Sequence, residues 1–290
     1  MTMATGDSLR LSPAQRALTH VTLIALAIPL LLPFLSMVST SLKSEAQVFG
    51  APEPWLAWMS APWRWHWRNY PDALRTVPLG DYLRNTLFLC TATVAGAVLS
   101  SAVIAYGFAR LEFRGKGTMF LLMLSTMALP SHVTMIPVFA LFRWLGWYGT
   151  FLPLVVPSFF GVPFYVFLLT QFYRTLPLDL AEAARIDGAG EWRIFWQIVL
   201  PLSKPALVTC ALFQFLGTWN DFFGPLLYLN DPSKYTLAYG LQQFMASFHV
   251  GGKWPQLMAG ATLFTLPIVL LFFFAQKTFV RGIATSGSKN

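Results

Sequence analysis

Apolar residues in this chain come in long unbroken runs, separated by short polar clusters, and not in strict alternation. A helix needs roughly 20 consecutive apolar residues to cross a bilayer. Six runs meet that length, at about residues 17–42, 79–109, 118–142, 150–173, 205–229 and 256–280. The pattern predicts an all-α integral membrane fold with six transmembrane helices. The first run, which contains Pro29 and Pro33, follows Arg10 and Arg16 and could be read as a cleaved leader. Its apolar part exceeds the roughly 7–15 residues of a signal core and no A-x-A site follows, so it is expected to be an anchor. The expected organisation is a tail over 1–16, a six-helix domain over 17–282 and a tail over 283–290. No heptad, solenoid repeat or inverted repeat is visible in the sequence, which argues weakly against many secondary transporters.

Composition agrees with a membrane as solvent. Of 290 residues, 56% are hydrophobic, 16% aromatic and only 11% charged. Soluble domains carry roughly 25% charged residues. The net charge of +8 does not point to nucleic acid, because the basic residues flank the apolar runs and form no single patch. Their distribution gives an orientation instead. With the N-terminus inside, the inner side holds Arg10, Arg16, Arg110, Arg114, Lys116, Arg174, Arg185, Arg193, Lys204, Lys277, Arg281 and Lys289. The outer side holds fewer, and five of them, Lys43, Arg64, Arg68, Arg75 and Arg84, share one long segment. Both termini are therefore expected in the cytoplasm. Cys90 and Cys210 lie inside apolar runs and read as small buried hydrophobes, not as a disulfide. The long outer segment is rich in tryptophan, at Trp55, Trp58, Trp63, Trp65 and Trp67, with Pro52, Pro54 and Pro62. It reads as a loop lying on the membrane surface or as a docking surface for an external partner.

One inner segment is more than a connector. Residues 176–204 read LPLDLAEAARIDGAGEWRIFWQIVLPLSK. A helix is expected over 179–187 after Pro177, stopped by Gly188 and Gly190, since glycine accepts the left-handed conformation that ends helices. A second helix fits 191–200, closed by Pro201. Trp192, Phe195, Trp196 and Val199 share one face of it, and Ile194 and Ile198 widen the stripe. A hairpin this apolar must bury itself against something.

This segment closely resembles the EAA loop of binding-protein-dependent ABC permeases. The matching residues are Glu182-Ala183-Ala184, Asp187-Gly188-Ala189, Phe195, Ile198, Leu200-Pro201 and Lys204-Pro205-Ala206. The resemblance extends along nearly the whole chain, to permeases of carbohydrate importers related to the smaller permease of the maltose system. Trp67, Asn69-Tyr70 and Asn85 are similar to the family's outer signature. Leu129-Pro130-Ser131 through Ile136-Pro137 are similar to its third helix. Trp219-Asn220-Asp221, Pro225-Leu226-Leu227 and the stretch from Gln276 to Gly282 are similar to its C-terminal third. The tryptophan-rich outer segment departs from the pattern. The resemblance implies a permease in a bacterial inner membrane that pairs with a second permease subunit. It implies a cytoplasmic ATPase dimer that receives the Glu182 hairpin, and an external solute-binding protein that delivers a sugar. ATP and Mg would sit on the ATPase partners: no G-x-x-x-x-G-K-[ST] phosphate loop occurs in this sequence. No cofactor and no catalytic residue is expected in this chain.

Three weaker features complete the reading. Ala92, Gly96 and Ser100 recur every four residues, a small-residue face for close helix contact. Pro130 and Pro137 bracket Ser131, His132, Val133 and Thr134 in mid-membrane. The pair predicts either a broken helix lining the translocation path or a kink satisfied by its neighbours. Asn220 and Asp221, near the end of the fifth run, read as a gate or partner contact, or as a structural cap. Two other classes compete. An ion-coupled transporter needs a deep intramembrane carboxylate, and the acidic residues lie in loops or near the interface. A membrane enzyme needs converging catalytic groups, and His132 alone is not enough.

Overall fold

The computed structural model describes residues 12–50, 65–247 and 253–287, while the side chains of Ser131, His132, Ser247 and residues 274–287 lie outside the described part. Trp55, Trp58 and Trp63 fall outside it too, so neither reading of the tryptophan-rich segment is addressed there. Among the described residues every regular element is helical. Among the described residues, four helices are long and apolar enough to cross a membrane: Pro13–Ser41, Leu79–Arg110, Leu152–Thr175 and Trp254–Phe273. A fifth crossing is available if the bent pair Glu191–Leu202 and Lys204–Trp219 counts as one span.

The chain divides into two compact units. The first contains α1 (Pro13–Ser41), α2 (Glu45–Phe49) and α3 (Asn69–Thr76). Ser12 and Gln15 form a reciprocal capping box, with Pro13 at the first helical position, so α1 starts before residue 17. At its far end the Asn69 amide donates to Ser41 O and Lys43 O, both at 2.8 Å. The Ser41 hydroxyl meets Tyr70 Oη at 2.8 Å. The Asn69-Tyr70 pair thus ties α3 to the end of α1.

The second unit is built on α4 (Leu79–Arg110). Against it pack α7 (Leu152–Val155) with the 3₁₀ turn Val156–Phe160, then α8 (Pro163–Thr175), and further along the chain α11 (Lys204–Trp219). Small residues make this possible. Ala97, Ser101, Ala102 and Ala105 of α4 are fully enclosed. A Cβ on Gly96 would lie 2.6 Å from Ser158 Oγ and 2.7 Å from the Phe159 ring. The Ser100 hydroxyl reaches Ser158 O at 3.1 Å. The four-residue spacing of Gly96 and Ser100 is therefore a packing face, as expected. Farther up α4, the Asn85 amide donates to Ser233 O (2.8 Å) and Tyr235 O (3.0 Å), and Leu237 N donates to Thr86 Oγ1 (2.9 Å). These bonds hold the turn that leads into α13 (Leu237–Ser247).

Two expected runs are not continuous. The third is divided into α5 (Lys116–Thr126) and α6 (Ser131–Trp144). Pro130 forces the residue before it out of the helical region and supplies no donor, so the first helix stops short of it. Pro137 sits inside α6 without ending it. The fifth run breaks after Trp219, where the Asn220 amide turns back to Leu216 O at 2.8 Å, before α12 (Phe223–Tyr228). The last helix, α14 (Trp254–Gly287), extends beyond the expected end of its run at residue 280.

Candidate functional site

Residues 176–204 fold as a helical hairpin. Its first arm, α9 (Asp179–Ile186), ends at Gly188, whose φ is +81°. Gly188 N donates to Arg185 O at 3.0 Å and Ala189 N to Ala184 O at 2.9 Å. That paired arrangement is the Schellman stop, and it needs a residue in the left-handed region at that position. Nothing lies within 4 Å of a Cβ built there. Gly188 is therefore required by conformation and not by crowding.

The second arm, α10 (Glu191–Leu202), departs from expectation. Residues Phe195–Val199 form a π-helical stretch. Pro201 does not close the helix, which continues to Leu202 and then bends by 78° into α11. The widened turn has already shifted the backbone ladder, so the donor missing at Pro201 interrupts less than in a regular helix. The bend comes at Ser203, whose hydroxyl donates to Val199 O at 2.6 Å. The π stretch also splits the anticipated stripe. Ile194, Phe195 and Val199 are buried and Ile198 is half-buried, while Trp192 and Trp196 face outward.

The inner face of the hairpin meets the last turns of α4. The Tyr106 and Phe195 rings lie 5.3 Å apart. Tyr106 Oη donates to Glu191 Oε2 at 2.6 Å. Arg185 Nε donates to Glu191 Oε1 at 2.7 Å, and Arg185 Nη2 to Oε2 at 3.3 Å. The Arg185 guanidinium, helped by the Tyr106 hydroxyl and opposed by partial burial, holds the Glu191 carboxyl below its ordinary value. One turn beyond Tyr106, Arg110 Nη2 donates to Tyr173 O and Leu176 O, each at 2.7 Å. It thereby caps the end of α8, where the hairpin begins.

The outer face is open. Glu182, Ala183, Asp187, Gly188 and Pro201 are exposed, and Ala184 and Ala189 are half-buried. Apolar side chains surround them: Ile186 is 87% exposed and Trp192 62%. These two large apolar side chains are left uncovered by the rest of the chain.

Of the second group of expected residues, Asn220 and Asp221 lie at the break after α11. Ser131 and His132 have side chains outside the described part, and Thr134 lies on α6. Asp221 borders a cavity of about 280 Å³ together with Thr93, Gln214, Thr218 and Thr236. Thr93 Oγ1 and Thr218 Oγ1 are 2.9 Å apart, and Gln214 Nε2 reaches Thr218 Oγ1 at 3.2 Å. Asp221 Oδ1 also accepts from Gly224 N at 2.9 Å, a capping bond at the start of α12. Sequence reasoning missed Tyr106, Arg185 and Glu191 as a group. The available signal was an acid at the first position after the glycine turn, six residues beyond a basic one.

Residues 85–285 match the family described as binding-protein-dependent transport system inner membrane component. The chain is 30% identical over 273 residues to the diacetylchitobiose uptake system permease protein NgcG of Streptomyces coelicolor, covering 94% of this chain and 88% of that protein. It is 32% identical over 272 residues to the sn-glycerol-3-phosphate transport system permease protein UgpE of Yersinia pestis, covering 92% and 95%. A chain of a bacterial ABC transporter involved in the import of the acidic polysaccharide alginate has the same fold, with a TM-score of 0.76 at 24% identity, covering 92% of this chain and 98% of that one.

Proposed function

This chain belongs to the family of binding-protein-dependent transport system inner membrane components, and from that premise we propose that it carries an uncharged sugar across a bacterial inner membrane, with its α9–α10 hairpin docked in a cytoplasmic ATPase subunit. The observation that carries the docking is the hairpin's two-sided build. A Schellman-stopped pair of helices is fixed to the protein on one side and presents Ile186, Trp192 and Glu182 on the other. The partners are a second permease subunit, an ATPase dimer that supplies ATP hydrolysis, and an external binding protein. Six crossings with both termini inside remain our reading of topology. On it α5 and α6 make one broken span, and α11 and α12 another. Ser131, His132, Thr134, Asn220 and Asp221 then fall along the translocation path or its gate, and the polar cavity beside Asp221 supports that placement. The sugar reading draws on the diacetylchitobiose relative. The runs contain no cluster of Arg or Lys that would suit a phosphorylated solute, so a glycerol phosphate is the second choice.

The test is replacement of Gly188 by Val and of Glu182 by Lys. A β-branched residue is strained at φ +81°. A reversed charge at a protein contact costs several kcal/mol. Both variants should insert normally and lose the ATPase on purification. Full retention of the ATPase in both would remove the hairpin from the coupling role. Uptake with the cognate binding protein and a sugar panel tests the solute class, and uptake of a glycerol phosphate alone would overturn it.

A further inference from the structure

For the hairpin to act on the membrane helices, force must pass from it into a span. Two links are covalent: the short connection from α8 at 176–178, and the 78° bend at Ser203. A third link is the apolar contact of Ile194, Phe195 and Val199 with the core of the second unit. Apolar contact is non-directional, so it permits sliding and rotation. A short hydrogen bond to a charge does not.

Among the described residues, the bond of this kind that joins α4 to the second arm of the hairpin is the one from Tyr106 to Glu191. The Glu191 carboxylate is shared by three elements. It sits on the first residue of α10, it is forked by Arg185 of α9, and it receives Tyr106 Oη of α4 at 2.6 Å. The start of a helix favours an anion, which adds to its preference for this position. The Tyr106 side of the joint is enclosed, since that residue is 6% exposed. Four residues on, Arg110 grips the backbone end of α8 through Tyr173 O and Leu176 O. The last turns of α4 therefore hold both the strand of chain entering the hairpin and the first residue of its second arm.

We propose that Tyr106 and Glu191 form the joint that makes α4 follow the hairpin, with Tyr106 as a positioning residue for transport. The proposal rests on the reading of the hairpin as the ATPase dock. Phenylalanine at 106 keeps the ring against Phe195 and deletes only the hydroxyl. Glutamine at 191 keeps an acceptor for Tyr106 and weakens the fork from Arg185.

The experiment uses the full complex in lipid vesicles, with nitroxide labels at Val103→Cys on α4 and Gln197→Cys on α10, both exposed positions. Cys90 and Cys210 are buried, and serine replaces them in the labelled background. The spacing of the labels is measured without nucleotide and with ATP trapped by vanadate. The native protein should keep one spacing in both states, because α4 and the hairpin move together. In Tyr106→Phe the trapped state should show a second spacing while the ATPase stays bound, and Glu191→Gln should show a smaller fraction of it. An unchanged spacing in Tyr106→Phe overturns the joint. So does loss of the ATPase or a large fall in thermal midpoint in that variant, which would mean packing alone. Failure of the underlying reading looks different: Gly188→Val would then keep its ATPase, whatever Tyr106→Phe does.

Discussion

Two helices of this chain are alike in length and apolarity and opposite in surroundings. In its most apolar stretch α4 is 44% buried within the chain and α1 is 0% buried. Both are long enough to span a bilayer, so span-forming capacity does not decide which helix becomes an axis. Size does. The α4 helix offers Gly96, Ala97, Ser101, Ala102 and Ala105 to its neighbours, whereas α1 has no glycine and sets its exposed Ala25 and Ala27 among Leu23, Ile24, Leu26, Ile28, Leu30 and Leu31. Lipid tails are as apolar as leucine, so burying leucine against another helix gains little in a membrane. Close approach of backbones, which needs small residues, is what holds helices together there. The hairpin repeats the contrast within one element, with an inner face closed on α4 and an outer face left bare.

The strongest way to break the comparison is to enlarge α4. Gly96→Val places a branched side chain where a Cβ already meets Ser158 Oγ at 2.6 Å and the Phe159 ring at 2.7 Å. Phe159 is half exposed and can turn aside, but Ser158 is buried and its hydroxyl is bound to Val155 O at 2.7 Å. Overpacking of this kind costs about 1–3 kcal/mol. The expected result is a clear fall in thermal midpoint in detergent. An unchanged midpoint would show that the α4 face has slack, and that small residues are not what makes it the axis.

Much of this was legible beforehand, and for physical reasons. Run length predicts spans because bilayer thickness sets a minimum, and among the described residues four of the six runs fall on helices long enough to cross, or five if the bent pair counts as one. The stop at Gly188 was legible because a left-handed helix stop favours glycine, and it is where the Schellman bonds form. The breaks in the third and fifth runs were visible only as prolines and polar residues, since a proline can kink a helix or end it. The π stretch at Phe195–Val199 left no mark, because it changes the ladder without changing composition, and so Pro201 was misread as a stop. The Tyr106–Glu191 bond joins residues 85 positions apart. No local pattern encodes such a partner. The residues proposed for the path were the least legible. Polar groups in an apolar run mark functional depth or a cap alike, and Asp221 both borders a cavity and caps α12.

A smaller effect sharpens the hairpin half of the comparison. The Arg185 fork, with the Tyr106 hydroxyl, holds the Glu191 carboxyl below its ordinary value. A group with a depressed value stabilises the folded state at pH above its free value, and that stabilisation disappears as pH falls through the bound value. The inner face should therefore loosen on the acid side of about pH 4.3, the free value for Glu. Because the Glu191 side chain is 40% exposed, solvent screens the effect. The measurement is label spacing across the hairpin joint as pH is lowered, in the native protein and in Glu191→Gln. The native joint should lose its single spacing with acid, and the glutamine variant should show no comparable dependence. Parallel curves would mean that other carboxyls drive the change.

The smallest expected effect tests α1. Leu30 is 72% exposed, and Ala25 on the same helix is exposed as well. If α1 is an unpacked span of this chain, neither truncation nor enlargement should matter to the chain's own stability. Leu30→Ala removes bulk that touches little of the protein, and Ala25→Val adds bulk where nothing crowds it. Substitutions away from packing usually shift stability by less than about 0.5 kcal/mol. The thermal midpoint of the purified chain should therefore stay near native in both, beside the clear fall in Gly96→Val. The pairing matters because the same kind of enlargement is made in two helices that both pass for spans. A fall in Ala25→Val as large as that in Gly96→Val would show that α1 is packed as tightly as α4. The argument from small residues would then fail, because α1 has none of the glycine that lets α4 approach its neighbours.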